Sequence, residues 1–404
     1  MFHFSNRRMN MPKRPTKDPK FSELKQDIDL EQLVASVKGA FQDADDPRQV
    51  AKTRYPFWFL MLLFLCGYLS GCNSVSDLAI YAELNIGCIN MLTGQTFSAP
   101  SYDTLWWILA RLPPATFKEL LQKWFANIPQ QFRDQLLIID GKRLKGASTD
   151  ERLVHLVELF AAEQRLVLAQ EKVLDKSSEP KVIEALLKDI DVSGALISTD
   201  ALFAHTARAQ QFLDHGADYL IGLKGNQGNF HAEAKNFFDQ ARAVEYEEVE
   251  VERYIPSPEK DHGRIEQRSI CVCTALEWLP QTKTWPGLKA IIEVLSEREE
   301  DGKKTSEIRY YFSSRKATAK EFTGWIRGHW LIENPLHWVL DVVFREDAAQ
   351  AKTGFIAENM AFFRRLSMNI IKIADPGRGF ADARRCCAYE PKYLRGILGK
   401  IFVG

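Results

Sequence analysis

At 404 residues and 46% hydrophobic side chains, the chain is long enough for two or three domains with real cores. Lys plus Arg and Asp plus Glu both number 53, so the net charge is zero. That balance speaks against a dedicated, sequence-unspecific nucleic-acid binder but leaves room for local basic surfaces. The seven scattered cysteines contain no C-x-x-C pair, which argues against a zinc ribbon or disulfide framework and fits a reducing cytoplasm.

In chain order, the first residues, "MFHFSNRRMNMPKRPTKDPK", lack the apolar core of a signal peptide, and residues 1–30 read as a flexible basic arm. Residues 31–130 read as a helical domain, through "DLEQLVASVKGAFQ", "SVSDLAIYAEL", "SAPSYDTLWWILARL" and "PPATFKELLQKWFANI", the later ones opened by Ser, Thr or Pro. Within it "YPFWFLMLLFLCGYLSGC" is apolar without a break only from Phe57 to Cys66, short of the ~20 residues of a membrane span. It predicts a buried core helix.

The pattern changes at "LLIID", a strand. "VHLVELFAAEQRLVLAQEKV" predicts two strands joined at "AAEQ", "EPKVIEALLKDI" a helix, and "GALISTD" a strand. "HTARAQQFLDHG" then predicts a helix ended by Gly216, and "DYLIGLK" a further strand. This order is α/β, with parallel crossovers at its end. Residues 241–313 read as a β-rich insertion, and long helices return from "TAKEFTGWIRGHWLIENPLHWVLDVVF" onward.

Two apolar strands end in aspartate, Asp140 in "LLIIDGKRLKGA" and Asp200 in "ALISTDALFAH". If those strands are neighbours, the two carboxylates share one sheet edge, where sites on open α/β sheets lie. Ionised carboxylates so placed repel unless a cation lies between them, and hard divalent cations need only a few oxygen ligands. A third ligand is expected from a helix crossing the strand ends. "RGHWLIENPLHWVLDVVFRED" offers Glu333, with His337 and Asp341 on the same face at helical spacing. Singly, each has a plainer reading: the aspartates as turn formers or caps, and Glu333 as a partner of Arg327 or Arg345.

Taken together, these motifs resemble the ribonuclease-H-like core of DDE transposases from bacterial insertion sequences, and most of all the H-repeat-associated (ISAs-type) family. The likeness rests on "IIDGKRLKG", "STDALFAH", "YLIGLKGNQ", "HGRIEQR" and "RGHWLIENPLHWVLDVVFRED", and on the N-terminal "DPRQVAKTRYPFWFLMLLFLCGYLSG". It implies a mixed α/β sheet flanked by helices, with the core in residues 131–240 and 314–375, a basic C-terminal tail at 376–404, and a helical N-terminal domain for DNA binding or assembly. It also implies catalysis and metal binding by Asp140, Asp200 and Glu333, holding two Mg²⁺ ions (Mn²⁺ as substitute) ~3.5–4 Å apart for phosphodiester hydrolysis and transesterification. The chain departs from the wider group, which places a tyrosine, an arginine and a lysine around its glutamate where this chain has Ile326, His329 and Leu340.

On this reading Lys142, Arg143, Lys145, Lys224, Arg264 and Arg327 are candidate DNA contacts, as solvated turns would also explain. His262 and Gly263 sit in a hairpin that could touch DNA. His329 and His337 could orient ligands or pack in the core, and Asp341 is the reserve carboxylate. The implied partners are double-stranded DNA, as element ends and target, and a second protomer to pair two ends. No membrane is implied; the place of action is the bacterial cytoplasm, at the nucleoid. A metal-dependent nuclease on the same fold, or an idle or domesticated DNA-binding protein using Arg7, Arg8, Lys13, Arg14, Arg384 and Arg385, are the alternatives. A small-molecule metallohydrolase is the weakest, since no histidine cluster appears.

Overall fold

The computed structural model describes residues 30–41, 46–49, 53–116, 132–148, 154–173, 179–247, 249–261 and 264–402. The basic arm, most of "PPATFKELLQKWFANI", and His262 and Gly263 lie outside the described residues.

Four helices open the described chain: α1 (Leu30–Phe41), α2 (Phe57–Leu69), α3 (Val75–Thr93) and α4 (Tyr102–Arg111). Ser74 caps α3 in a capping box with Asp77, and Ser101 caps α4. α2 is apolar on every side and nearly every residue is buried, so it forms the centre of a helical core rather than one face of it. No described helix is long and apolar enough to cross a membrane.

A single sheet follows. Its first half is β1 (Leu136–Arg143), β2 (His155–Ala161), β3 (Leu166–Val173), β4 (Leu196–Thr199) and β5 (Asp218–Leu223). Helices α5 (Glu179–Leu187) and α6 (Thr206–Asp214) provide the crossovers, and α7 (Gly228–Ala243) follows β5. β1, β2 and β3 form an antiparallel meander, while β1, β4 and β5 run parallel, in the order β3-β2-β1-β4-β5. This is the expected ribonuclease-H-like mixed sheet.

Strands β6 (Glu252–Tyr254), β7 (Glu259–Asp261), β8 (Arg264–Cys273), β9 (Ala290–Glu300) and β10 (Lys303–Ser313) supply the β-rich segment. They extend the same sheet, because β10 pairs antiparallel with β5 and the order runs on as β10-β9-β8-β6, with β7 on β8.

Alternation along the strands divides the core into two layers. Leu137, Ile139 and Ile197 face α5, α6 and α7, whereas Leu136, Ile138 and Leu196 face α8 (Ala319–His329) and the helical turns after it. Beyond the short α9 (Val339–Val342) come α10 (Ile356–Ala374), α11 (Phe380–Tyr389) and α12 (Pro391–Phe402). These pack back onto α2 and the other N-terminal helices in one core. Most of the described part of residues 376–404, expected as a basic tail, is helical, in α11 and α12. Arg384 is buried and donates to the carbonyls of Tyr68 and Cys72, so it ties α11 to α2 and is not a free DNA contact. Arg385 is exposed and pairs with Asp382.

Candidate active site

By the period of two, Asp140 follows Leu136 and Ile138 onto the sheet face beneath α8, and Asp200 follows Leu196 and Ser198 onto the same face. The parallel register sets Ile139 beside Thr199, which brings the two aspartates to the same edge. Gly222 on β5 leaves room for this, since a Cβ there would stand 3.1 Å from the Ala201 nitrogen and 3.5 Å from Asp200 Oδ1. Both aspartates and Glu333 line one cleft of about 490 Å³.

The two carboxyls differ electrostatically. Burial raises Asp140 above the usual carboxylate range; the Gly141 N–H, donating at 2.8 Å, and His337 pull it down, and the charges of Glu158 and Asp200 push it up again. Burial pushes Asp200 upward too, but the Lys224 ammonium, 3.0 Å away, and the Ala201 N–H, at 2.6 Å, hold it below that range. Lys224 thus reaches the site itself rather than only a neighbouring surface.

Glu333 arrives on a broken helix. α8 starts at a capping box between Thr318 and Glu321 and runs regularly to His329. Residues Trp330–Ile332 then tighten into a 3₁₀ turn, Glu333–Trp338 widen into a π turn, and α9 resumes. Pro335 lies inside the π turn and has no N–H to continue the regular ladder. The expected single face of Glu333, His337 and Asp341 is accordingly divided among three partners. Glu333 faces the cleft, His337 Nε2 lies 3.3 Å from Glu158 Oε2, and Asp341 accepts from Lys142 Nζ at 2.6 and 2.7 Å.

This last pair involves one of the expected DNA contacts. Lys142 is only 8% exposed and is paired with Asp341, the reserve carboxylate. Lys142→Ala should lower stability by about 1–3 kcal/mol, the cost of stranding a partly buried carboxylate. Its duplex affinity should keep the wild-type salt dependence, as measured by denaturant melts and binding titrations at several salt concentrations. Arg143 is exposed, and Lys145 is exposed with Asp347 as its surface partner at 2.8 Å. His329 Nδ1 shares a 3.0 Å hydrogen bond with Ser198 Oγ, and burial lowers its ring to about 4, so the imidazole is neutral near pH 7.

Arg264 and Arg327 do not line the carboxylate cleft; they line a second groove of about 760 Å³ that adjoins it at Arg309, Tyr311, Trp330 and Glu333. Arg268, Arg298 and Arg309, which sequence reading passed over, line it too. Glutamates stand among these arginines: Arg309 Nε donates to Glu307 at 2.7 Å, Arg268 to Glu266 at 2.6 Å, and Arg327 pairs with Glu259. The Arg309 guanidinium also lies 4.6 Å from the Trp330 ring centroid. The same-face spacing of Arg264 and Arg268 on β8, with Arg298 on β9 and Arg309 on β10, is the sequence signal for this groove.

Sequence reasoning also missed the group behind Asp140. Glu158 is the register partner of Asp140, is fully buried, and pairs with Arg365 of α10. Arg365 in turn donates to Glu346 at 2.6 Å. Burial opposes ionisation of Glu158, but Arg365 and His337 hold it well below the usual range. A lone glutamate in the apolar "VELFAA" and an Arg-Arg pair in "AFFRRLSM" were the available signals.

The donor set suits a hard divalent cation: oxygen ligands only, with one carboxyl destabilised by burial and by its neighbour's charge, both of which a cation relieves. Among the described residues, no three carboxylate, histidine or cysteine side chains yet converge closely enough to hold a metal as they stand.

Residues 131–370 match the family described as Transposase DDE domain, and residues 39–125 match one described as DDE_Tnp_1-associated. The chain is 31% identical over 362 residues to "H repeat-associated putative transposase YhhI" of Escherichia coli (strain K12), covering 87% of this chain and 95% of that one. It is 32% identical, with the same coverage, to YbfL of the same organism. Among solved structures, a piggyBac transposase synaptic complex with hairpin DNA aligns over 93% of this chain and 80% of that one, at 11% identity and a TM-score of 0.46.

Proposed function

Since this chain belongs to the DDE transposase family, whose members work on DNA with divalent metal, we propose that it cuts the ends of an insertion sequence and joins them to target DNA. The observation that carries this is the gathering of Asp140, Asp200 and Glu333, from three separate elements, along one cleft. These carboxylates would hold the divalent cations, with Mg²⁺ in the cell and Mn²⁺ as a substitute; two ions, when bound, supply an activated oxygen nucleophile and stabilise the leaving oxygen. The protein's own share is positional. The carboxylates serve as ligands and not as proton carriers. Lys224, paired with Asp200 at 3.0 Å, would be available to a phosphate if Asp200 served as a ligand. The neutral His329 adds no charge beside the substrate.

DNA would run from the carboxylate cleft into the arginine groove, where phosphates replace the glutamates as guanidinium partners. Arg309, at the junction, should matter most. Arg309→Ala is expected to weaken end binding by roughly tenfold and to reduce the salt slope by about one. An unchanged slope would remove the groove from the DNA path. Pairing of two ends calls for at least two protomers.

The test of the function is a labelled duplex bearing the element's ends, incubated with a plasmid target and Mg²⁺. Transposition predicts cut ends and then end–target joints. Cutting without joints would favour a nuclease on the same fold. Tight binding with neither product would favour an idle DNA-binding protein.

A further inference from the structure

Glu333 lies midway between two histidines, four residues from each, and both are fastened to the sheet. His329 is bonded to Ser198, two residues before Asp200 on the same face of β4. His337 is bonded to Glu158, the residue paired in register with Asp140. The helix is regular up to the first histidine, departs from α geometry through the stretch between the two, and becomes regular again just after the second. The first anchor therefore ties the irregular stretch to β4, which leads into Asp200, and the second ties it to β2, the neighbour of the strand that carries Asp140.

We infer that His329 and His337 are positioning residues that clamp the two ends of this stretch, so that its 3₁₀ and π turns can carry Glu333 over Asp140 and Asp200 when a cation binds. The inference rests on the metal-site reading above. Three features support it. The three carboxylates line one cleft, and Glu333 is the one carried on an irregular stretch of helix. Both 3₁₀ and π turns relax toward regular helix by small shifts of backbone hydrogen bonds, and Pro335 keeps that ladder incomplete. Glu158, held by Arg365 and through it by Glu346, gives His337 a rigid post rather than a mobile one. The bonded ring nitrogens, His329 Nδ1 and His337 Nε2, are the ones turned to the sheet.

The experiment is Mn²⁺ binding to the full chain without DNA, followed by the loss of the free-ion electron paramagnetic resonance signal. The variants are His337→Ala, His337→Gln, His329→Ala, His329→Asn and Asp140→Asn, each with a thermal melt. Outer residues that orient ligands are worth roughly 10–100-fold in metal affinity. His337→Ala and His329→Ala should each weaken Mn²⁺ binding by about that factor. The amides should recover most of it, because Gln places a donor where Nε2 stood and Asn where Nδ1 stood. Wild-type affinity in both alanine variants, with Asp140→Asn unable to bind, would overturn the clamp while leaving the metal site intact. If the alanine variants fail to fold, the folded amide variants decide: affinity near wild type supports the clamp, and a loss as large as that of Asp140→Asn overturns it. No Mn²⁺ binding by the folded wild type would instead defeat the metal-site reading itself.

Discussion

Asp140→Asn should abolish strand cleavage, by at least ~10³-fold or about 4 kcal/mol of barrier, while leaving the fold as stable as before or more so. Both halves follow from the same position. The side chain lies within β1, three residues before its end, on the face beneath the Glu333 helix, where burial and the charges of Glu158 and Asp200 make its ionised form costly. An amide of the same shape removes that cost and keeps an oxygen to accept the Gly141 N–H. It also removes the charge that a divalent cation needs. Asp200→Asn and Glu333→Gln should lose cleavage to a similar extent, and all three should bind end duplex within about threefold of wild type, since the phosphate contacts proposed above are arginines outside the carboxylate set. Melting curves, duplex titration and end cleavage on the same preparations check all of this. A variant that loses DNA binding together with cleavage would point to a misfolded cleft rather than an emptied one.

Arg365→Ala carries the largest expected cost in stability, roughly 3–5 kcal/mol, because it leaves two buried carboxylates without their main partner. Among the described residues, Glu158 would retain His337, and Glu346 the more distant Arg364 at 3.9 Å. Arg365→Lys should recover a minor part, since an ammonium cannot span both glutamates as the guanidinium does. The pH dependence follows from the depressed carboxyl of Glu158. A carboxylate held below its unfolded value, near 4.3, contributes its full stability above that pH and loses it as pH falls through the folded value. Wild type should therefore lose stability below about pH 4, and Glu158→Gln should remove that part of the acid limb while starting from a lower plateau. Denaturant melts between neutral and acid pH measure both.

The sheet was legible because its signals are local. Apolar strands leading to Asp140 and Asp200, a pair of strands joined by a tight turn and two crossover helices in order leave few topologies, and the observed sheet is the expected one, although β1 runs on past Asp140 to Arg143 where the sequence reading ended it. The features that were not legible depend on partners far along the chain. Lys142 reads as one cation of a basic loop until Asp341, 199 residues later, is folded against it. Arg384 reads as part of a basic tail until α11 docks on α2. Glu158 and Arg365 look like isolated charges in apolar segments, and only the packing of α10 on the sheet makes them a pair. The break at Glu333 was half legible: Pro335 forbids a regular ladder, but nothing in the sequence says whether the helix bends, stops or widens into a π turn.

The claim that Glu333, and not Asp341, completes the metal site can be tested most directly by exchanging each for cysteine and measuring end cleavage in Mg²⁺ and in Mn²⁺. A thiolate is a poor ligand for Mg²⁺ and a better one for softer ions. Glu333→Cys should be inactive with Mg²⁺ and partly restored by Mn²⁺, whereas Asp341→Cys should cleave with either ion, apart from a loss of stability through Lys142. Full Mg²⁺-dependent cleavage by Glu333→Cys, with Mn²⁺ rescue confined to Asp341→Cys, would contradict the account.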